Sequence, residues 1–182
     1  SLDGWKIFVE NVAPGDTAKV ALTKIKNNYG EGRLIEIIEK SPHRISPRCK
    51  HFDTCGGCNW QFLSYEEQVK IKENQVRETL DKIGHIKCDI SPILGCESPW
   101  FYRNKSELSF WENKDGKTML GFHPPHYHHE VFDLEECFLQ SELLAEIVEK
   151  VRAFITQHKI PVYKTDTHEG LLRNLIIREG KN

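Results

Sequence analysis

The sequence has no run of 18 apolar residues, so no segment reads as a membrane-spanning helix. Its opening, SLDGWKIFVENV, lacks the basic stretch and apolar core of a secretory leader. These two absences point to a cytoplasmic chain with no membrane partner. Cytosolic thiols stay reduced, so six cysteines read against a disulfide framework and toward metal binding. There is no internal repeat and no low-complexity segment. No Gly-rich nucleotide fingerprint follows a strand. A large net charge is also missing: the chain carries −2. The imbalance is local, since residues 1–51 hold nine Lys or Arg against six Asp or Glu. A basic N-terminal third permits nucleic-acid contact, and a solvated surface of uneven charge explains it equally well. With 38% apolar and 29% charged residues, the 182-residue chain has the balance of one ordinary globular domain or two small ones.

What is present reads as α+β. KIFVENVAPGD is a short apolar run closed by Pro14 and Gly15. TAKVALTKIK alternates, with Ala18, Val20 and Leu22 on one face, and GRLIEIIEK is a further strand. Three strands with tight turns suggest part of a small barrel, which needs about five strands to close. The abrupt start suggests that earlier strands are missing and that Ser1-Leu2 is a remnant of cloning. After SPHRISPRC, a linker, SYEEQVKIKENQVRETLDKIG reads as a helix. Ser64 and Glu67 form a reciprocal capping box, and Tyr65, Val69, Val76, Leu80 and Ile83 share one face. Gly84 supplies the left-handed residue past its end. YRNKSELSFWENKDGKTMLGF reads as a hairpin turning at Asn113 to Gly116, and EVFDLEECFL as a third extended piece. SELLAEIVEKVRAFITQH is a second helix with Ser141 as N-cap and Leu144, Ile147, Val148, Val151 and Ile155 as its apolar stripe. GLLRNLIIREG is a last strand, and the chain looks cut shortly after it.

Three cysteines, Cys49, Cys55 and Cys58, stand as C-x5-C-x2-C in CKHFDTCGGC. Soft thiolates that close together suit a metal center, and Gly56 and Gly57 let the backbone take positive φ around it. A tetrahedral ion or a four-iron cube needs a fourth ligand: Cys88, Cys96, Cys137 or His51. Zinc sites with four cysteines commonly use two C-x2-C pairs, and only one is present. The C-x3-C-x2-C of radical S-adenosylmethionine enzymes is absent. Iron–sulfur, zinc, incidental buried thiols and a thioredoxin-like Cys55/Cys58 pair all remain open on spacing alone.

FVENVAPGDTAKVALTKIK, SPHRISPRC, CKHFDTCGGCNWQFLSYEEQVKIKENQV, YRNKSELSF and LGFHPPHYHHEVFDLEECFL, in that order, resemble the N-terminal half of RNA (uracil-5-)-methyltransferases. Within them the resemblance is to the 23S ribosomal RNA branch of the RumA/RlmD type. It implies a partial OB-like TRAM barrel over residues 1–47. A central domain, 48–182, follows: an antiparallel sheet with two helices that carries a [4Fe–4S] cluster on Cys49, Cys55, Cys58 and Cys137. Cys88 and Cys96 match no ligand position. It also implies an S-adenosylmethionine-dependent enzyme that makes 5-methyluridine. Its catalytic residues and Rossmann-like cofactor domain would lie beyond this chain, which has no catalytic residue and is expected to be inactive alone. The rival reading is a non-enzymatic zinc-binding module for RNA or protein.

RNA contacts are expected from Lys and Arg on phosphates and aromatics on bases, with no DNA partner. The candidates are Lys24, Lys26, Tyr29 and Arg33 around one turn, Arg44 and Arg48 beside the cysteine loop, and Arg103 and Lys105 at a strand start. His126, His128 and His129 form a histidine-rich loop. Which uridine is modified, and the oligomeric state, are not legible.

Overall fold

A computed structural model describes residues 5–127 and 129–180. Ser1-Leu2 and His128 lie outside the described residues. The described residues divide into two units: those of Ser1–Ser46 with Asn59–Leu94, and those of Pro47–Cys58 with Gly95–Asn182.

In the first unit, β1 (Lys6–Val9), β2 (Thr17–Ile25) and β3 (Tyr29–Glu39) form a three-stranded sheet in the order β1-β3-β2. β2 and β3 are an antiparallel hairpin closed by the Lys26 N–H donating to the Tyr29 carbonyl at 2.8 Å. β1 pairs with β3 in parallel, Lys6 opposite Tyr29. The sheet is open, and no closed barrel forms among the described residues. Register shifts interrupt the β2–β3 pairing, one of them between Leu22 and Lys24. Ala18 and Val20 are half-buried, whereas Leu22 is exposed. Val20 and Leu22 pair without a break opposite Leu34 and Gly32, so they share a face as their spacing predicts.

The corner after β3 is held by Asp16, whose side chain is 1% exposed. Its carboxylate accepts from the Ala13 N–H (2.6 Å), the Ser41 N–H (2.9 Å) and the Arg44 guanidinium (2.7 to 3.0 Å). Arg44 also donates to the Asn11 carbonyl at 2.8 Å and lies 4.5 Å over the Phe62 ring. The Arg44 hydrogen bonds hold the Asp16 carboxyl well below the usual carboxylate range, against the opposing effect of burial.

Helix α1 (Tyr65–Glu78) belongs to this unit and ends in a π-helical turn, Thr79–Ile83. Half of the expected capping box is present: Ser64 Oγ accepts from the Glu67 N–H at 3.4 Å. The other half is replaced, because the Ser64 N–H donates to the His43 carbonyl. Glu67 instead faces His43 and Lys70. The left-handed residue past the helix is His85 (φ 52°), and Gly84 has φ −77°. Glycine is needed at 84 for a different reason: a Cβ there would sit 2.9 Å from the Leu80 carbonyl oxygen. The expected apolar stripe is not a core face, since no residue of α1 is buried and Ile83 is 76% exposed. A polar strap holds the helix instead. Arg77 donates to the Ile90 carbonyl and Glu73 accepts the Ile93 N–H, each at 3.0 Å.

In the second unit, β4 (Lys105–Glu112), β5 (Thr118–Gly121) and β6 (Asn174–Arg178) form an antiparallel sheet in the order β5-β4-β6. Helix α2 (Leu143–Gln157) packs on it, burying Leu144, Val148 and Ile155 with Leu108, Phe110, Leu120, Leu134 and Val162. The helix opens after Glu142 without a side-chain cap, and Ser141 contributes only its carbonyl, to the Leu144 N–H. Residues 130–139 form no ladder of their own. They run beside β5 through two hydrogen bonds, Phe132 N–H to Phe122 and Leu134 N–H to Leu120. Gly121 permits that approach, because a Cβ there would lie 2.0 Å from the Phe132 carbonyl oxygen. No helix among the described residues is long and apolar enough to cross a membrane.

Candidate metal center and nucleic-acid face

The cysteine loop is a chain of tight turns. The Phe52 N–H donates to the Cys49 carbonyl (3.1 Å), and the Thr54 and Cys55 N–H groups both donate to His51 (2.9 and 2.6 Å). Phe52 is buried and anchors the loop. Neither Gly56 nor Gly57 takes a positive φ. Their smallness serves space instead: a Cβ on Gly57 would stand 3.3 Å from the Cys55 sulfur. The Gly57 N–H donates to that sulfur at 3.3 Å.

The Glu135-Glu136-Cys137 segment meets this loop through a polar clamp. The Lys50 N–H donates to Glu136 at 2.7 Å, and Lys50 Nζ pairs with Glu135 at 2.5 Å. The Glu135 N–H donates to His51 Nε2 at 3.1 Å, and the His51 ring lies 5.0 Å from that of Phe132. That bond occupies His51 Nε2, so the ring is committed to the clamp. Cys137 is partly buried against the core of the unit.

The thiols feel one another. Burial pushes the Cys49 thiol up, against a hydrogen bond from the His51 backbone, and Glu136, Cys137 and Cys55 push it further. Burial also raises Cys55. The Gly57 N–H opposes this, Cys58 and Cys137 add to it, and Arg103 opposes it. Cys49, Cys55, Cys58 and Cys137 are half-buried, whereas Cys88 and Cys96 are exposed. Among the described residues, however, no three His, Cys, Asp or Glu side chains form a group that could hold a metal ion. The cysteine loop and the Cys137 segment meet through the Lys50 and His51 clamp without closing a single-ion site among the described residues. As a donor set, four soft sulfurs with backbone hydrogen bonds to two of them suit an iron–sulfur core.

On the first sheet, Phe8, Asn11, Thr23, Tyr29, Glu31 and Arg33 line a groove of about 1030 Å³. Phe8, 60% exposed, meets Tyr29 edge-on with ring centroids 5.6 Å apart. Tyr29 and Arg33 therefore share one concavity. Lys24 is ion-paired with Glu31 at 2.8 Å on the surface, and the Lys26 carbonyl accepts the Trp5 indole N–H.

A TRAM domain family model matches residues 2–35, the stretch that forms β1, β2 and much of β3. Over 182 residues the chain is 35% identical to an uncharacterized RNA methyltransferase of Halalkalibacterium halodurans, covering all of this chain and 39% of that one. It is 39% identical over 186 residues to an uncharacterized RNA methyltransferase of Bacteroides thetaiotaomicron, covering 94% of this chain and 41% of the other. Its fold resembles the crystal structure of the tRNA (uracil-54, C5)-methyltransferase of Pyrococcus abyssi with S-adenosyl-L-homocysteine. The TM-score is 0.66 at 27% identity, over 98% of this chain and 39% of that one. Over nearly its whole length the chain is thus similar to RNA methyltransferases, and in fold to one that acts on uracil in tRNA. It spans about two fifths of the length of these relatives.

The remaining candidates sort by their partners. Arg44 is committed to Asp16, Asn11 and Phe62, so its visible work is structural. Arg48 lies against the rings of Trp100, Phe101 and Phe138. Arg103 is exposed, with its N–H on the Leu139 carbonyl. Lys105 stands 3.8 Å from Glu107. In the histidine-rich loop, His126 has a positive φ (66°) and His129 is exposed. Reasoning from sequence missed the Lys50/His51–Glu135/Glu136 clamp and the place of Phe8 in the groove. One signal was available: CKH and EEC place complementary charge beside cysteines of the two segments.

Proposed function

We propose that this chain is the RNA-recognition and iron–sulfur portion of an S-adenosylmethionine-dependent RNA uracil-C5 methyltransferase. One observation carries the reading. A TRAM match, a C-x5-C-x2-C loop and a distant Cys137 whose segment is clamped to that loop through Lys50 and His51 occur together in a chain similar to RNA methyltransferases. Cys49, Cys55, Cys58 and Cys137 would hold a [4Fe–4S] cluster, which when bound would cross-link the two segments that carry them. Zinc sites with four cysteines commonly use two C-x2-C pairs, and the single pair here favors the cluster over the rival zinc module.

RNA is held in this proposal by the groove on the first sheet. Phe8 and Tyr29 offer π faces to unstacked bases, and Arg33 offers a charge to the backbone. The binding of S-adenosylmethionine and methyl transfer to C5 are assigned to the length of the relatives that this chain does not match. The chain alone is therefore expected to transfer no methyl group. The target is a uridine in folded RNA. The sequence resemblance favors 23S ribosomal RNA, and the likeness to a tRNA enzyme favors tRNA.

Protein purified without oxygen tests the center. About four iron and four acid-labile sulfide per chain is the expected result, and one zinc without sulfide supports the rival module. For the groove, Tyr29→Ala is expected to weaken binding to ribosomal or transfer RNA transcripts about tenfold, within the roughly 1–3 kcal/mol of one base stack. Gel-shift titration checks this, and the preferred transcript decides between the two RNA classes.

A further inference from the structure

The Arg48 guanidinium carbon lies 4.3 Å from the ring centroid of Phe138, 5.3 Å from Phe101 and 5.4 Å from Trp100. Three aromatic faces around one cation are far more than surface placement of an arginine requires. No ion pair or hydrogen bond to a described residue engages this guanidinium, and Arg48 is exposed. Its five N–H donors are thus oriented by stacking and left facing solvent. The salt-bridged arginines show the contrast: Arg44, Arg77 and Arg152 all place donors on carboxylates. The cage is also built at a conformational cost. Phe101 has φ 55°, a region that a bulky L-residue avoids. It is kept there by its N–H on the Phe138 carbonyl and by the Arg103 N–H on the Leu139 carbonyl, both at 2.8 Å. Backbone strain that aims a side chain at a solvent-facing cation marks a functional position.

We propose that Arg48, stacked on Trp100, Phe101 and Phe138, is a binding site for a single phosphodiester. A planar guanidinium fixed by its face offers its edge to two phosphate oxygens at once, and stacking lowers the entropy lost on binding. That the phosphate belongs to RNA rests on the function proposed above. The site is built on the metal-binding segments themselves, since Arg48 precedes Cys49 and Phe138 follows Cys137 in the chain. Any center that joins those two segments also sets the distance between Arg48 and its best ring.

Two measurements on the full chain test the site. The first is the salt dependence of binding to a single-stranded oligouridylate. Arg48→Gln is expected to lower the slope of log affinity against log salt by about 0.7, the value of one phosphate contact on a single strand. Arg48→Lys is expected to keep the slope and still lose affinity several-fold, because charge is retained and the fork is not. A slope and affinity unchanged by Arg48→Gln overturn the site while leaving the RNA reading intact. The second measurement follows the Arg48 Nε–H resonance as inorganic phosphate is added. A saturable shift, weakened in Phe138→Leu, supports the site, and no shift overturns it. Should the wild-type chain bind no RNA at all, the RNA reading fails, and the phosphate titration alone decides whether Arg48 binds an anion.

Discussion

Cys137→Ser, purified without oxygen, is expected to lose nearly all of the iron and sulfide of the proposed center. Three of the four proposed ligands sit within one loop, so the fourth decides whether the center closes. Serine is a hard oxygen donor with a high pKa, a poor replacement for a thiolate on a soft metal. The loss should come from the missing ligand and not from a displaced loop. The Lys50–Glu135, Lys50–Glu136 and His51–Glu135 bonds tie the same segments without using Cys137. Cys88→Ser is the control, an exposed thiol for which metal content should not change. Iron, sulfide and zinc analysis with visible absorption reads the result. Retention of the wild-type content by Cys137→Ser would assign the fourth ligand elsewhere.

The second large effect is expected at Arg44. Arg44→Ala leaves the Asp16 carboxylate buried with only two backbone donors, and the removal of one partner from a buried pair costs about 3–5 kcal/mol. That is a large share of the stability of a small domain. Denaturant unfolding should show it as a lowered midpoint for the first unit. The same pair sets an acid limit. The folded pKa of Asp16 is depressed, so its contribution is fully present above the unfolded value of about 3.9 and is lost as pH falls below it. Wild-type stability should therefore drop between about pH 4 and the acid end of the titration. Asp16→Asn, which has no charge to lose, should be less stable at neutral pH and show a flatter acid branch. Equal acid branches for the two proteins would remove Asp16 from the account.

Local patterns carried much of the architecture. The 105–121 hairpin follows from alternation around Asn113 to Gly116, and the α2 stripe of Leu144, Val148 and Ile155 is buried as its spacing requires. The failures occur where a distant partner outbid a local rule. The Ser64 N–H found His43 before Glu67 could reach it. At α1 the stripe of Tyr65, Val69 and Val76 is periodic but the helix is held by hydrogen bonds to residues 90 and 93. Periodicity reports that one face is apolar, and it does not report what covers that face.

By itself the sequence determined the order of elements, the turn positions, the thiol-rich loop and the resemblance to RNA uracil methyltransferases. All of these depend on residues near one another in the chain, where sterics and periodicity act. Only the tertiary structure decided that β1 runs parallel to β3, that Arg44 belongs to Asp16, that Glu135 and Glu136 meet Lys50 and His51, and that three rings gather on Arg48. Each is a pairing across many residues, chosen by burial and hydrogen-bond satisfaction summed over a whole unit, and no local pattern encodes that sum.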